Sequence, residues 1–387
     1  MKKKHIFDIV ISLIFLMLIM FFGILSCKNL KAFYLGEAVF NNDTSINIGS
    51  KLENDIATTF FGKYCFVDFN GLIRNLLGQR EMNGIAKLKN GYLFMPEPCS
   101  SNDYLQNCAD RVIPFKKYLE DRGAVLVYAA TPATPDKYDP QLPIGIEDHS
   151  NDNIDRFLKM LADRGIDTID FRESMHNDGV DHYEMMYKTD HHWTTKAGFY
   201  GYTVIEEYLK NKIGCSIDDR VSNINNYTVT TYDEWHLGSR GQRTGKHFGG
   251  IDDFDVIIPN FDTNIINVDM GNTGTVAEMI NINQQSKRDL RKSAYDTIYG
   301  GTVGDFINID AKNDVKILFI TDSFGRVLSP YLTEGVREVK YVYDGDVSAV
   351  TPELIEEYNP DVVIMMYYYR MLNEAVEFRP FNFNGFE

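Results

Sequence analysis

Several things are scarce in this 387-residue chain, and each scarcity removes a class of function. There are only five cysteines, Cys27, Cys65, Cys99, Cys108 and Cys215. No two of them stand in a C-x-x-C or similar spacing, so a cysteine-built metal site is not expected. Cys99 and Cys108 are close enough in sequence to bridge, but spacing alone does not decide the pairing. Basic residues are outnumbered, with 39 Lys and Arg against 55 Asp and Glu for a formal charge of −16. Such a surface repels nucleic acid and anionic lipid. Repeats, low-complexity tracts and charge-rich polar stretches of the kind that stay unfolded are absent.

What is present begins with Lys2-Lys-Lys-His5 and an apolar run from Ile9 to Ser26. A basic start followed by an apolar segment of ~20 residues reads as an export signal or a single spanning helix. The positive end should stay in the cytoplasm, which places the remainder outside the cell membrane. Ile24-Leu-Ser-Cys27 resembles a lipoprotein cleavage box, with Leu25 where a smaller residue is usual. The expected organisation is a signal peptide or anchor over 1–27, a stalk over 28–64 and one catalytic-sized domain over 65–387.

Within that domain the apolar runs Ala124–Ala130, Ile166–Phe171, Val315–Ile320, Val339–Tyr343 and Asp361–Met366 read as strands. Helical patterns occupy Tyr104–Arg122, Asn153–Arg164, Thr195–Lys212 and Thr351–Tyr358. Alternation of this kind predicts a parallel sheet covered on both faces, with functional residues at the carboxyl ends of its strands. Residues 216–312 break the rhythm and read as a mostly β insert.

Two stretches carry chemistry. Phe319-Ile-Thr-Asp-Ser-Phe-Gly325 puts Ser323 just past a buried strand, where a tight turn can offer the hydroxyl to a substrate and the backbone N–H to an oxyanion. A helix cap is the alternative for the same pattern. Lys188-Thr-Asp-His-His-Trp-Thr-Thr195 puts Asp190 two residues before His192, so the carboxylate can orient an imidazole that accepts a serine proton. His191 competes for that role, and the adjacent histidines leave a metal-dependent hydrolase open as another reading.

Asp190-His-His-Trp193 together with Asp322-Ser-Phe324 resembles the DHHW proteins, relatives of the AlgX/AlgJ alginate O-acetylation proteins in the SGNH hydrolase superfamily. Asn90-Gly-Tyr-Leu-Phe94, Thr131-Pro132 with Lys137 beyond, Leu237-Gly-Ser-Arg-Gly-Gln-Arg-Thr-Gly245 and Pro360-Asp-Val-Val-Ile364 are similar to that family too. The resemblance implies an α/β, three-layer, flavodoxin-like parallel sheet with permuted motif order. It implies Ser323 as nucleophile, His192 as base and Asp190 as its orienter, with Trp193 packed beneath the imidazole. Where relatives place an arginine this chain has Tyr343-Asp344, so Tyr367, Tyr368 or Arg370 at the end of the last strand could supply the second oxyanion donor, and Trp193 is a further candidate for substrate contact. The implied activity is O-acetyl transfer to a secreted or cell-surface polysaccharide, with a membrane-bound O-acyltransferase supplying acetyl and no cofactor or metal. A carbohydrate acetylesterase and a non-catalytic glycan-binding component of an acetylation complex are the alternatives.

Overall fold

The computed structural model describes residues 2–34, 60–280, 288–343, 347–376 and 380–386. The chain divides into two compact units, residues 1–73 and 74–387. Most of the expected stalk, and Asp344, lie outside the described residues. The division between units falls inside the helix Lys63–Leu76 rather than at its start.

The first unit contains the helix Lys2–Tyr34, whose segment Ile6–Ser26 has a mean hydropathy of 2.9 and is long enough to cross a bilayer. The second unit is built on an eight-stranded sheet. Five strands are parallel and lie in the order Asp167–Asp170, Val125–Ala130, Val362–Tyr367, Lys316–Thr321, Glu338–Tyr343. The three central strands, Val125–Ala130, Val362–Tyr367 and Lys316–Thr321, are short, apolar and buried on both faces, as a parallel sheet requires, whereas the flanking Asp167–Asp170 and Glu338–Tyr343 are partly exposed. Alternate residues feed opposite cores. Val127, Phe319 and Ile364 pack with the helix Thr195–Ile213, whereas Leu126, Leu318 and Val363 pack with the helices Asn102–Glu120 and Ser150–Ala162. The result is the three-layer α/β arrangement.

The strand order also bears out the permutation. Taking the serine-bearing strand Lys316–Thr321 as first, then Glu338–Tyr343, Val362–Tyr367, Val125–Ala130 and Asp167–Asp170, the spatial order reads 2-1-3-4-5. That is the flavodoxin-like order, entered at a different point of the cycle. The order reverses between Lys316–Thr321 and Val362–Tyr367, and sheets of this kind place functional residues beyond the carboxyl ends of the two strands at such a point.

The stretch 216–312 is less β-rich than its alternating runs imply. It contributes the antiparallel strands Phe306–Asn308, Ile265–Asn267 and Asn272–Gly274 to one edge of the main sheet, and the separate pair Tyr227–His236 and Asp252–Pro259. Between them lie the helices Ser239–Thr244, Val276–Met279 and Ala294–Tyr299. Among the described residues, Cys65 and Cys99 are exposed and Cys215 is buried, each without a disulfide. Cys108 is buried inside the helix Asn102–Glu120.

Candidate active site

Ser323 opens a 3-10 turn, Ser323–Val327, immediately after the strand Lys316–Thr321. The turn is fixed by Asp322. Its Oδ1 accepts the Phe324 N–H at 3.0 Å and its Oδ2 accepts the Tyr368 N–H at 2.6 Å, tying the serine turn to the end of the neighbouring strand. The Ser323 N–H begins the turn and therefore has no acceptor within it.

Asp190 to Trp193 form the loop before the helix Thr195–Ile213, which is capped by the Thr194 hydroxyl on the Ala197 N–H at 3.2 Å. Asp252 holds the approach to this loop by accepting the N–H groups of Lys188 and Thr189, each at 2.8 Å. The fold then brings the two sequence motifs together. His192 Nε2 lies 2.7 Å from Ser323 Oγ, and His192 Nδ1 lies 3.3 Å from Asp190 Oδ2. With Nδ1–H donating to the carboxylate, Nε2 is left to accept from the serine hydroxyl. Ser323 is half-buried, while His192 and Asp190 are buried.

Burial opposes the charge on Asp190, but His192 and His191 and their hydrogen bonds outweigh it, holding the carboxyl well below the usual range. Burial, reinforced by His191, pushes His192 down to about 4 despite the pull of Asp190. At neutral pH the site therefore pairs an ionised carboxylate with a neutral imidazole, which is the state a general base needs.

Residues from the 216–312 stretch complete the surroundings. His236 Nε2 donates to Asp190 Oδ2 at 2.9 Å, and the Ser239 hydroxyl donates to Asp190 Oδ1 at 2.9 Å. Tyr295 lies flat on the His192 ring, with centroids 4.1 Å apart and planes 13° apart, and its hydroxyl donates to the Ser323 carbonyl at 2.9 Å. Arg240 is buried and binds the carbonyls of Leu93 and Asp190, the Thr134 hydroxyl and the phenols of Tyr368 and Tyr369. One guanidinium thus contacts four segments around the loop. Only the glycine-rich 237–245 stretch, similar to the family, pointed toward these residues. Tyr295 carried no signal at all.

The other sequence candidates go elsewhere. Trp193 is fully buried, and its indole N–H donates to the Phe324 carbonyl at 3.0 Å. It supports the serine turn from below, and Tyr295 takes the place against the imidazole expected of it. The Tyr367 side chain points into the opposite core, where its hydroxyl donates to the Pro380 carbonyl at 3.1 Å. Arg370 forms an ion pair with the buried Glu97. Neither Trp193 nor Tyr367 can touch a substrate from these positions. Tyr368 is half-buried, stacked on Phe324, with its ring 5.0 Å from the His191 ring. His191 is half-buried at the rim, its Nδ1 2.9 Å from Ser239 Oγ. Asp190, His191 and His192 also present donor atoms within 4.8 Å of one another, a spacing that a metal ion can span.

Residues 89–222 match the model of the family described as the SGNH hydrolase-like domain of acetyltransferase AlgX. The matched stretch includes Asp190 to Trp193 and ends before Ser323. No curated protein matches the chain. Among solved structures, Bacillus cereus PatB1 is similar over 78% of this chain and 99% of its own at 19% identity, with a TM-score of 0.61. The same protein with a sulfonyl adduct aligns over 79% and 99% at 19% identity and a TM-score of 0.60. A DHHW family protein from Eubacterium siraeum aligns over 76% and 94% at 15% identity and a TM-score of 0.55. These likenesses show a shared fold. Over residues 89–222 the chain is therefore similar to the SGNH hydrolase-like domain of acetyltransferase AlgX.

Proposed function

We propose that this protein is an extracytoplasmic, serine-dependent O-acetyltransferase that modifies a secreted or cell-surface polysaccharide through an acetyl-serine intermediate. The observation that carries the reading is the 2.7 Å approach of His192 Nε2 to Ser323 Oγ, with Asp190 behind the imidazole. Ser323 Oγ attacks the carbonyl carbon of an acetyl ester while His192 takes the hydroxyl proton. The tetrahedral oxyanion is offered the Ser323 N–H. His192 returns its proton to the departing alcohol, leaving acetyl on Ser323. A sugar hydroxyl then gives its proton to His192 and attacks the acetyl carbonyl. The new ester leaves and Ser323 Oγ recovers the proton.

Acetyl-coenzyme A is not expected outside the cytoplasm, so a membrane-bound O-acyltransferase is the natural acetyl donor. The apolar segment Ile6–Ser26 supports a membrane location for the chain itself. With water as the acceptor the same residues perform acetyl ester hydrolysis, so acceptor dependence separates transferase from esterase.

The test is turnover of p-nitrophenyl acetate by the full chain, beside Ser323→Ala, with and without chelator and with a panel of soluble glycans. Expected are turnover by the wild type, loss of at least 1,000-fold in Ser323→Ala on the order seen for triad serines, no effect of chelator, and acetylated glycan as a product. Equal rates for the variant would refute Ser323 as nucleophile. Loss with chelator would favour a metal held by Asp190, His191 and His192. Turnover with no acetylated acceptor would favour the esterase.

A further inference from the structure

The helix Lys63–Leu76 has an apolar face that the described residues do not cover. Phe66, Phe69, Leu72, Ile73 and Leu76 recur at spacings of three and four, which aligns them along one side of a helix. They are 48%, 61%, 36%, 40% and 77% exposed, and Leu77 follows at 68%. A soluble surface seldom carries so many large apolar side chains in one row.

The beginning of this helix is fixed to the end of the apolar segment Ile6–Ser26. The Phe61 N–H donates to Ser26 Oγ at 3.1 Å. Phe60 stacks on Phe22 with centroids 5.9 Å apart, and Phe66 meets the same ring edge-on at 5.1 Å. A turn from Phe60 to Lys63, closed by the Lys63 N–H on the Phe60 carbonyl at 3.1 Å, uses Gly62 at φ 78° to start the helix there. Ser26 is the last residue of a segment just long enough to span a hydrocarbon core. Its end therefore marks the bilayer surface, and Phe60, Phe61 and Phe66 gather at that level.

We infer that residues 60–77 form a second membrane contact, a helix lying in the outer interface with Phe66, Phe69, Leu72, Ile73 and Leu76 in the upper acyl region. The occupant of the apolar face is phospholipid. An amphipathic helix of this kind buries its apolar side ~5–10 Å into the headgroup and acyl boundary. The inference rests on the reading of Ile6–Ser26 as a spanning helix. Its consequence is that the chain leaves the membrane surface only after Leu77, a few residues before the first strand of the catalytic unit at Glu81.

The experiment reconstitutes the full chain in nanodiscs of phosphatidylcholine and phosphatidylglycerol carrying bromine high or deep in the acyl chains. Single tryptophans are introduced as Phe69→Trp, Leu76→Trp, Asn75→Trp and Leu16→Trp, and the emission of the parent, from Trp193 and Trp235, is subtracted. The expected result is at least twofold stronger quenching of Phe69→Trp and Leu76→Trp by shallow than by deep bromine. Leu16→Trp should show the reverse preference, and Asn75→Trp on the other side should be quenched far less. If Leu16→Trp is quenched while Phe69→Trp and Leu76→Trp resemble Asn75→Trp, the interfacial helix is refuted and the spanning helix stands. Crosslinking of Leu76→Cys between two copies under those conditions would identify a second copy as the occupant instead. If Leu16→Trp is unquenched, the spanning reading and this inference fall together.

Discussion

His192 and His236 address the same carboxylate oxygen, Oδ2 of Asp190, at 3.3 and 2.9 Å. His236 is fully buried, and its second ring nitrogen has no partner among the described residues. On the proposed mechanism the shared oxygen makes His236 a positioning residue for His192 as base. A hydrogen bond to a charged group is worth ~1.5–3 kcal/mol, so His236→Ala should lower kcat/KM by about 10- to 100-fold. It should also shift the acidic limb of the pH profile upward, because an Asp190 freed of one donor stabilises protonated His192 more strongly. His236→Gln, which keeps an N–H donor, should recover part of both effects. A purely structural role for His236 would lower the rate without moving that limb.

The low proton affinity of His192 fixes the shape of the pH profile. Burial and the adjacent His191 hold it at about 4, against an ordinary value near 6.5. Activity on p-nitrophenyl acetate should stay level from pH 7 down past 6 and fall only near pH 4, because the proposed mechanism works with the unprotonated imidazole. An activity limb near 6.5 would mean that His192 is not shielded in this way. The sign for stability is also set. The unfolded chain gains a proton near pH 6.5 that the folded chain refuses until about 4. Folding stability from this group is therefore complete above pH 6.5 and is lost as the pH falls toward 4, to a limit of ~3 kcal/mol. Equilibrium unfolding of the wild type and His192→Gln at pH 7 and 4.5 measures it.

Asp190-x-His192 and Asp322-Ser323 were legible because each is a local pattern placed at a strand end or a helix start, and the parallel sheet was legible because its strands are continuous apolar runs. The same continuity hid which tyrosine lies beside His191. In a strand buried on both sides no polar alternation marks the faces, so Tyr367 and Tyr368 could not be told apart, and the first enters the opposite core. His236, Ser239 and Tyr295 reach Asp190, His192 and Ser323 only through the folding of the 216–312 stretch. Pairings across 46, 49 and 28 residues leave no local spacing to read.

Gly238 makes the packing of that stretch against the catalytic loop testable. A Cβ there would lie 2.2 Å from Asp190 Cβ and 2.5 Å from Asp190 Cα. Its φ of −69° is open to any residue, so space and not backbone geometry demands glycine. Gly238→Ala should displace the Asp190 loop, cost about 1–3 kcal/mol of stability as overpacking does, and abolish most activity. Thermal unfolding and p-nitrophenyl acetate turnover together check it. Wild-type values in both assays would show that the two backbones do not meet this closely.

Glu334 bears on stability at the other end of the pH range. It is buried beside the Tyr227 hydroxyl, which donates to it at 2.6 Å, and burial outweighs that bond to push its carboxyl up to about 8. The folded chain thus keeps a proton that the unfolded chain releases above ~4.5. Its contribution is complete below pH 4.5 and is lost as the pH rises through 8, the reverse of His192, so the two groups oppose each other between pH 4.5 and 6.5. Glu334→Gln keeps an acceptor for Tyr227 and removes the titration. The variant should match the wild type in melting temperature near pH 4.5 and exceed it increasingly up to pH 9, by an amount limited to ~4–5 kcal/mol. A difference independent of pH would exclude Glu334 as the titrating group, since no proton would then be exchanged at that site on unfolding.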